Sequence, residues 1–404
     1  MRSISTISKV SALEVPQVKQ NNYLHKGLNI IKQFKYIIYF ESMLGISRLY
    51  LLKFNKCIQW FNYLYVFTLT AFSLLVVLST ESSSSSHMAV RNVLSLEYVL
   101  LVVGALTAKK KKLLNLFGNL SQFDEMIKIS FNDDALIETK RSLMWIGSTF
   151  TYNAVEFLLM YIYIYQKISN MEKLALIFYC TLSMAHDTEQ IFFFTLLRII
   201  FTRLRLVKAH VTKVFGVNDT RKNNNKTDII EMLSNNTQLD IGSLHQVYEL
   251  LHKCSEQLNS IMSFPMMVIL FTSGMTTTML LKILVKVIQI NDTLKPQVLM
   301  ATVVYLLVRC IKYTLLVVVP CYYSSITSAQ VTTIRTTLHD SLNTIPLDKL
   351  ERRRVKAFFL LTKENEFAYA LAGVIRLNMT LPLSYTSLCT TYLVIIIQFS
   401  KFLD

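Results

Sequence analysis

Residues 390–400, TTYLVIIIQFS, place five aliphatic side chains, Leu393 to Ile397, between Thr391–Tyr392 and Gln398–Phe399. Such a run suits lipid, whereas a glutamine in hydrocarbon needs a polar partner or water. The run sits inside a longer apolar block, roughly Pro382 to Phe402. That length suits a helix crossing about 30 Å of hydrocarbon at about 1.5 Å per residue.

Six further blocks of this kind precede it: Cys57 to Leu78, Ala89 to Ala108, Leu143 to Tyr165, Leu174 to Phe201, Met262 to Ile290 and Gln297 to Tyr323. The chain of 404 residues is 52% hydrophobic and only 17% charged, with a mean hydropathy of +0.39. Soluble domains carry about a quarter charged residues, so this is membrane composition. Backbone amides in lipid must be paired within their own segment, which makes each block a helix. The expectation is an all-α membrane protein with seven transmembrane helices.

Arg2 and Lys9 are followed by Ser11, Glu14, Pro16 and Gln17 rather than an apolar stretch, so no signal peptide is expected and residues 1–56 are expected in the cytosol. Charge supports that orientation. With the amino terminus inside, the inner segments hold 31 Lys and Arg and the outer segments 4, the asymmetry that sets topology. The carboxyl terminus is then extracellular. The net charge of +16 follows from the same bias, with Lys109 to Lys112 facing anionic lipid, rather than from nucleic-acid binding.

Four regions follow: a cytosolic segment, 1–56; helices 1–6 with their loops, 57–323; cytosolic helices, 324–372; and the last helix with a short tail, 373–404. The short outer loops leave no ectodomain, so a ligand must enter the bundle. RLRLVKAHVTKVF after the fourth span and IGSLHQVYELLHKCSEQLNS before the fifth read as helical extensions. Leu244, Val247, Leu250, Leu251 and Leu258 recur near helical spacing there. Pro346 ends a further extension of the sixth span, and an amphipathic helix follows. Extensions on several spans imply either a shared cytosolic anchor bundle or a set of solvated surfaces. NDTRKNNNKTD, residues 218–228, reads as a loop.

Polar residues inside the spans mark candidate sites, because an ionisable group there seeks a partner or water. Thr149, Tyr152, Glu156 and Tyr163 share one face of the third span. Ser183, Asp187, Gln190 and Arg198 share one of the fourth, with His186 and Glu189 beside them. Tyr305, Arg309 and Lys312 align on the sixth. Tyr152, Glu156, Ser183, Asp187, Thr277 and Tyr305, with Arg309 beneath, would line a cleft for a small polar or aromatic molecule. Alternatively, Glu156 and Asp187 pair with Arg309 or Lys312 to hold the helices in register. His186 has no partner at metal-ligand spacing, the six cysteines form no CxxC pair, and no P-loop, GxSxG or HExxH is present. No metal site, cofactor or enzymatic activity is expected.

On the last span, Ser384, Ser387, Thr391, Ile395, Gln398 and Phe402 fall within about 40° of one line. One polar stripe on an otherwise apolar helix suits several copies surrounding a water-filled path, with Ile395 as a drying constriction. The same stripe also suits hydrogen bonding to a neighbouring helix of one bundle.

Thr391-Tyr392, five apolar residues and Gln398-Phe399 resemble the TYhhhhhQF signature in the last span of insect gustatory receptors. All four fixed positions match, and chain length, span count and orientation agree along the whole sequence. Phe367, Gly373 and Leu377 resemble the family's approach to that helix. LLRIIFTRLRLV resembles the inner end of its fourth helix, with Ile200 and Arg205 departing from the commoner form. The resemblance implies a tastant-gated nonselective cation channel in the plasma membrane of sensory neurons, a homotetramer or heteromer whose last helices line one pore. Thr391, Tyr392, Ile395, Gln398 and Phe399 would lie along that pore or its gate, with small-molecule tastant, permeant cations and lipid as partners. Leu393 stands where the sweet-sensing branch has glutamate, which favours a plant-derived bitter or deterrent ligand and leaves a fructose-type sugar receptor as the alternative. A G-protein-coupled receptor would invert the orientation and lacks its Asp-Arg-Tyr here. A secondary transporter would show internal repeats and broken helices, which the sequence lacks.

Overall fold

The computed structural model describes residues 30–52, 54–78, 86–107, 110–127, 131–159, 170–215, 239–289 and 296–403. Tyr163, Lys109 and the 218–228 loop lie outside these. The main elements of the described part are α1 (Lys35–Met43), α2 (Lys56–Leu78), α3 (Ser86–Thr107), α4 (Lys110–Met126), α5 (Phe131–Leu159), α6 (Asn170–Val214), α7 (Ile241–Gln289), α8 (Pro296–Thr344), α9 (Lys349–Glu364), β1 (Ala370–Leu371), β2 (Ile375–Arg376) and α10 (Thr380–Leu403). The seven apolar blocks correspond to α2, α3, α5, α6, α7, α8 and α10.

By length and composition, two helices among the described residues are apolar enough to cross a membrane, Ile241–Val285 and Thr302–Thr344. A third joins them if Asn92–Leu106 and Lys110–Met126, inclined at 68°, are one broken span. The remaining blocks are helical, and three of them carry polar residues: Gln59 and Asn62 in α2, Glu156 in α5, and Asp187, Glu189 and Arg198 in α6. Length alone is sufficient, since the 23 residues of α2 reach about 34 Å at about 1.5 Å per residue. Large apolar side chains stand outward: Phe61 and Phe67 on α2, each 70% exposed, Phe271 on α7 and Leu383 on α10. Water would penalise such a surface, and lipid does not.

The helices α6, α7 and α8 run on well past their apolar blocks, and their extensions build the largest core. Leu244, Val247, Tyr248 and Leu251 of α7 meet Ile334 and Leu338 of α8 and Val355 and Phe358 of α9. These extensions pack against one another in that core rather than standing as separate surfaces. It is reinforced by α4, whose Leu116, Phe117, Leu120 and Phe123 join the same core. The turn after α8 comes where Pro346 forbids helix continuation. Asp348 then caps α9, accepting from the Lys349 amide at 2.7 Å, with Glu351 in the first turn and Lys363 in the last, each matching the helix dipole.

Ahead of α2, the chain folds α1 against α5 and α6, with a short 3-10 turn, Leu49–Leu52, beside α1. Gly45 makes the bend at φ +85°, where a Cβ would sit 2.1 Å from the Tyr98 hydroxyl. Between α9 and α10, Ala370 pairs with Arg376 and Leu371 with Ile375. Gly373 closes this hairpin at φ +72°, a conformation glycine adopts without steric cost. Phe367 and Leu377, on either side of it, are 1% and 4% exposed. The hairpin is pinned to α7 by Asn259, which accepts from the Ala370 amide at 3.0 Å, and by Ser263, which accepts from the Ala372 amide.

Candidate functional site

Two polar regions are built into the helices. The first lies where α3, α5, α6 and α8 converge. Glu156 of α5 sits 2.8 Å from Nε of Arg309, close enough to pair but off the axis of that N–H. Arg309 also donates to Tyr305 at 2.7 Å, and Tyr305 donates in turn to Glu156 at 3.3 Å. One turn along α8, Lys312 lies 2.7 Å from Asp187 of α6 and donates to Ser183 at 3.2 Å. Asn153 donates to the same Asp187 oxygen at 2.9 Å. The Lys312 ammonium stands 4.9 Å from the Tyr152 ring centre.

The sequence reading left Glu156 and Asp187 as either pocket residues or register pairs, and the geometry makes both pairs. Six of the seven candidate ligand residues, Tyr152, Glu156, Ser183, Asp187, Tyr305 and Arg309, come together. Thr277 is engaged elsewhere, its hydroxyl 3.4 Å from that of Tyr385 on α10. The sequence reading missed Asn153 and Tyr313. It also missed that His186 has a partner, Glu97 of α3, across the bundle. That pair is 89 residues apart, beyond any local spacing; only its placement in apolar spans signalled it. Burying the pairs removes their hydration, so each charge holds only while its opposite is in place. Among the described residues, no three His, Cys, Asp or Glu side chains converge as metal ligands would.

Even paired, the cluster retains buried polar atoms with no partner among the described residues: Tyr152 Oη, Glu156 Oε2, His186 Nε2, Asp187 Oδ1 and Tyr313 Oη. Native interiors satisfy nearly all such atoms through protein, water or ligand.

The second region is α10. Pro382, Tyr385 and Cys389 are its buried face, with Tyr385 and Cys389 packed on Val317 and Leu270. Ser384, Ser387, Thr391, Ile395 and Gln398 are exposed. At about 100° per residue their line lies roughly 150° from the centre of the buried face. Tyr392 is 53% exposed and Ile395 39%; the side chain of Phe399 lies outside the described residues. Thr391 donates to its own helix, to the Ser387 carbonyl at 2.9 Å, and Thr390 does the same to Thr386. The stripe is therefore not the seam that joins α10 to its own bundle.

A third buried polar group ties the segment before α2 to α6. Arg48 donates to Glu41 at 2.6 Å and to both carboxylate oxygens of Glu189, at 2.6 and 2.8 Å, with its guanidinium 4.3 Å from the Phe192 ring centre.

The arrangement has counterparts among solved structures. The insect olfactory receptor OR5 from Machilis hrabei matches with a TM-score of 0.64 at 13% identity, covering 93% of this chain and 99% of that one. The same receptor in complex with eugenol matches at 0.63 and 14% identity, with the same coverage. At these identities the likeness is one of fold. No curated protein sequence matches the chain. The profile of the family described as 7tm Chemosensory receptor matches residues 88–402. That interval holds every member of the charged cluster, the hairpin and α10 as far as Phe402, and it leaves an enzyme out of the question: the chain belongs to the 7tm chemosensory receptor family.

Proposed function

We propose that the protein is a gustatory receptor that works as a tastant-gated nonselective cation channel in the plasma membrane of sensory neurons. Seven spans, a cytosolic amino terminus and an extracellular carboxyl terminus give its topology, on the strength of the 31-to-4 charge asymmetry. Residues 57–323 form the ligand-binding bundle, 324–372 the cytosolic anchor, and 373–404 the pore helix and tail. Several copies, as a homotetramer or with related receptors, surround a common path. One observation carries the reading: the polar stripe of α10 points away from its own bundle. Serine, threonine and glutamine facing hydrocarbon would be costly, whereas the same face turned toward other copies meets water.

Thr391, Tyr392, Gln398 and Phe399 line or flank the gate in this assembly, and Ile395 narrows it. Tyr152, Glu156, Ser183, Asp187, Tyr305 and Arg309 contribute to the ligand site, tuned to a plant-derived deterrent, while Thr277 belongs to the contact with α10. The eugenol bound by the olfactory receptor of like fold supports a small organic ligand. Binding that favours the open arrangement shifts the population toward it. Expressed alone in oocytes, Gln398→Ala and Ile395→Ala are expected to change basal current or ion selectivity. If both conduct as the parent does, α10 does not line the pore.

A further inference from the structure

Resting on the topology proposed above and going beyond it, we infer that the outward face of α1, together with the first turns of α2, binds acidic phospholipid of the cytosolic leaflet. The depth of α1 follows from its contacts with α6, which runs inward in that topology. Phe34 meets Phe192, with ring centres 5.9 Å apart. Glu41 shares Arg48 with Glu189, and Leu44 and Ile46 pack with Leu182 and Ala185. The chain therefore climbs along α1 from the cytosol into the membrane. Beside it α2 climbs too: Tyr39 is level with its start, 5.8 Å from Phe54 between ring centres. Higher up, Asn62 donates to the Ser42 hydroxyl at 2.6 Å and Tyr65 to the Met43 carbonyl at 2.8 Å.

Along each climb, one exposed stripe grades from cation to aromatic to apolar. Lys32, Tyr36, Tyr39 and Met43 stand outward on the first, and Lys56, Trp60, Tyr63 and Phe67 on the second. Both follow i, i+4, i+7 and i+11, within about 60° of arc. That order matches the edge of a bilayer, with ammonium groups reaching the phosphates, amphipathic rings at the interface and apolar side chains against acyl chains. Charge selects the headgroup. Residues 30–67 hold five Lys and Arg and one carboxylate, Glu41, which is buried against Arg48. Lys32, Lys35 and Lys56 pair with no carboxylate among the described residues, and Lys35 Nζ stands 4.7 Å from the Tyr36 ring centre. Acidic lipid compensates these charges, and zwitterionic lipid does not. Because Arg48 fastens this segment to Glu189, the lipid bears on the helix that carries Asp187.

The chain holds two tryptophans, Trp60 and Trp145, so fluorescence reads the site. Trp145→Phe leaves Trp60 as the reporter on α2; Trp60→Phe, Trp145→Phe and Tyr39→Trp together move it to α1. The full-length receptor is reconstituted in phosphatidylcholine vesicles carrying an equal minor fraction of brominated phosphatidylcholine or brominated phosphatidylserine. Both reporters should be quenched more by the serine lipid, reflecting a local enrichment of about fivefold for each lysine engaged. Lys32→Gln with Lys35→Gln should remove the excess at the α1 reporter and leave that at Trp60. Lys56→Gln should do the reverse, and the corresponding arginine substitutions should keep both. Equal quenching by the two lipids with all lysines intact overturns the inference. An excess that every glutamine variant retains also overturns it, since the net charge of the whole chain would then be its source. No quenching by either lipid means that protein covers the face, which overturns it as well. Cys57, exposed at the start of α2, should be shielded from an impermeant maleimide applied to intact cells. Its labelling there overturns the topology along with the inference, whereas a failed lipid test with Cys57 shielded overturns the inference alone.

Discussion

Removing the cation from between Glu41 and Glu189 is the sharpest perturbation of the fold. Glu41 and Glu189 are both 0% exposed and Arg48 3%, and the shortest contact to each carboxylate is 2.6 Å. Arg48→Met keeps much of the side-chain volume but strands two like charges in the interior. Losing one partner of a buried pair costs about 3–5 kcal/mol, and here one substitution orphans two carboxylates. With an unfolding entropy of about 2.1 cal/mol/K per residue, 404 residues convert that cost to a fall of roughly 4–6 °C in Tm if the chain melts as a unit. The triple variant Glu41→Leu, Arg48→Met, Glu189→Leu removes all three charges and the penalty with them. It should melt within a few degrees of the parent, because well-packed apolar replacements of buried ion groups are often neutral or stabilising. The assay is the loss of the monodisperse chromatographic peak of detergent-solubilised receptor on heating. An Arg48→Met protein as stable as the parent would refute the reasoning, and so would a triple variant worse than the single one.

Two further outcomes follow from geometry outside the spans. At Gly373, with φ +72° and no atom within 4 Å of an added Cβ, substitution meets only backbone strain, about 1–2 kcal/mol for an ordinary side chain. Gly373→Asn should therefore melt closer to the parent than Gly373→Val, and equal melting of all three would mean the hairpin turn is not held in this conformation. His210, 1% exposed, is held below its ordinary value of 6.5, first by burial and then by Lys213 nearby. The unfolded chain then binds the proton that the folded chain refuses, so stability is full above about pH 6.5 and is lost as pH falls below it. His210→Gln should flatten the melting profile between pH 7 and 5; an unchanged acid slope would assign it to another group.

The helices were legible because their signal is local. Each of the seven apolar blocks became a helix, and the spacing of Leu244, Val247, Leu251 and Leu258 gave the α7 extension its buried face. The helix α4 was readable too, since Leu113, Leu116, Phe117, Leu120 and Phe123 recur at helical spacing, but the preceding lysines drew attention to charge. The hairpin is only two residues per strand, too short for alternation to register. The buried pairs divide by sequence distance and chemistry. Glu156–Arg309 and Asp187–Lys312 were expected as alternatives because all four residues are anomalous inside apolar runs. Arg48–Glu189 spans 141 positions, and Arg48 lies before the first apolar block, where a charge attracts no notice. Only the folded chain carries it inward.

The two polar regions are joined through α10, whose faces have divided roles. Its inner face meets α7 through Tyr385 and Thr277 and α8 through Val317, while its outer face carries the stripe. Both bundle helices contain a proline near this contact, Pro265 in α7 and Pro320 in α8, where the backbone ladder loses a hydrogen bond and bends most readily. Pro320 and Leu316 also border a small cavity shared with Gln190, Leu371 of the hairpin, Leu377 and Leu381 at the start of α10. A tilt of α8 about Pro320 therefore changes the packing of the hairpin and the base of α10 together. Close-packed interiors resist gradual deformation and move between discrete packings. In the proposed channel, a ligand that redistributed the pairs of Arg309 and Lys312, three and two helical turns from Pro320 on the same helix, would act on the element best placed to turn the stripe.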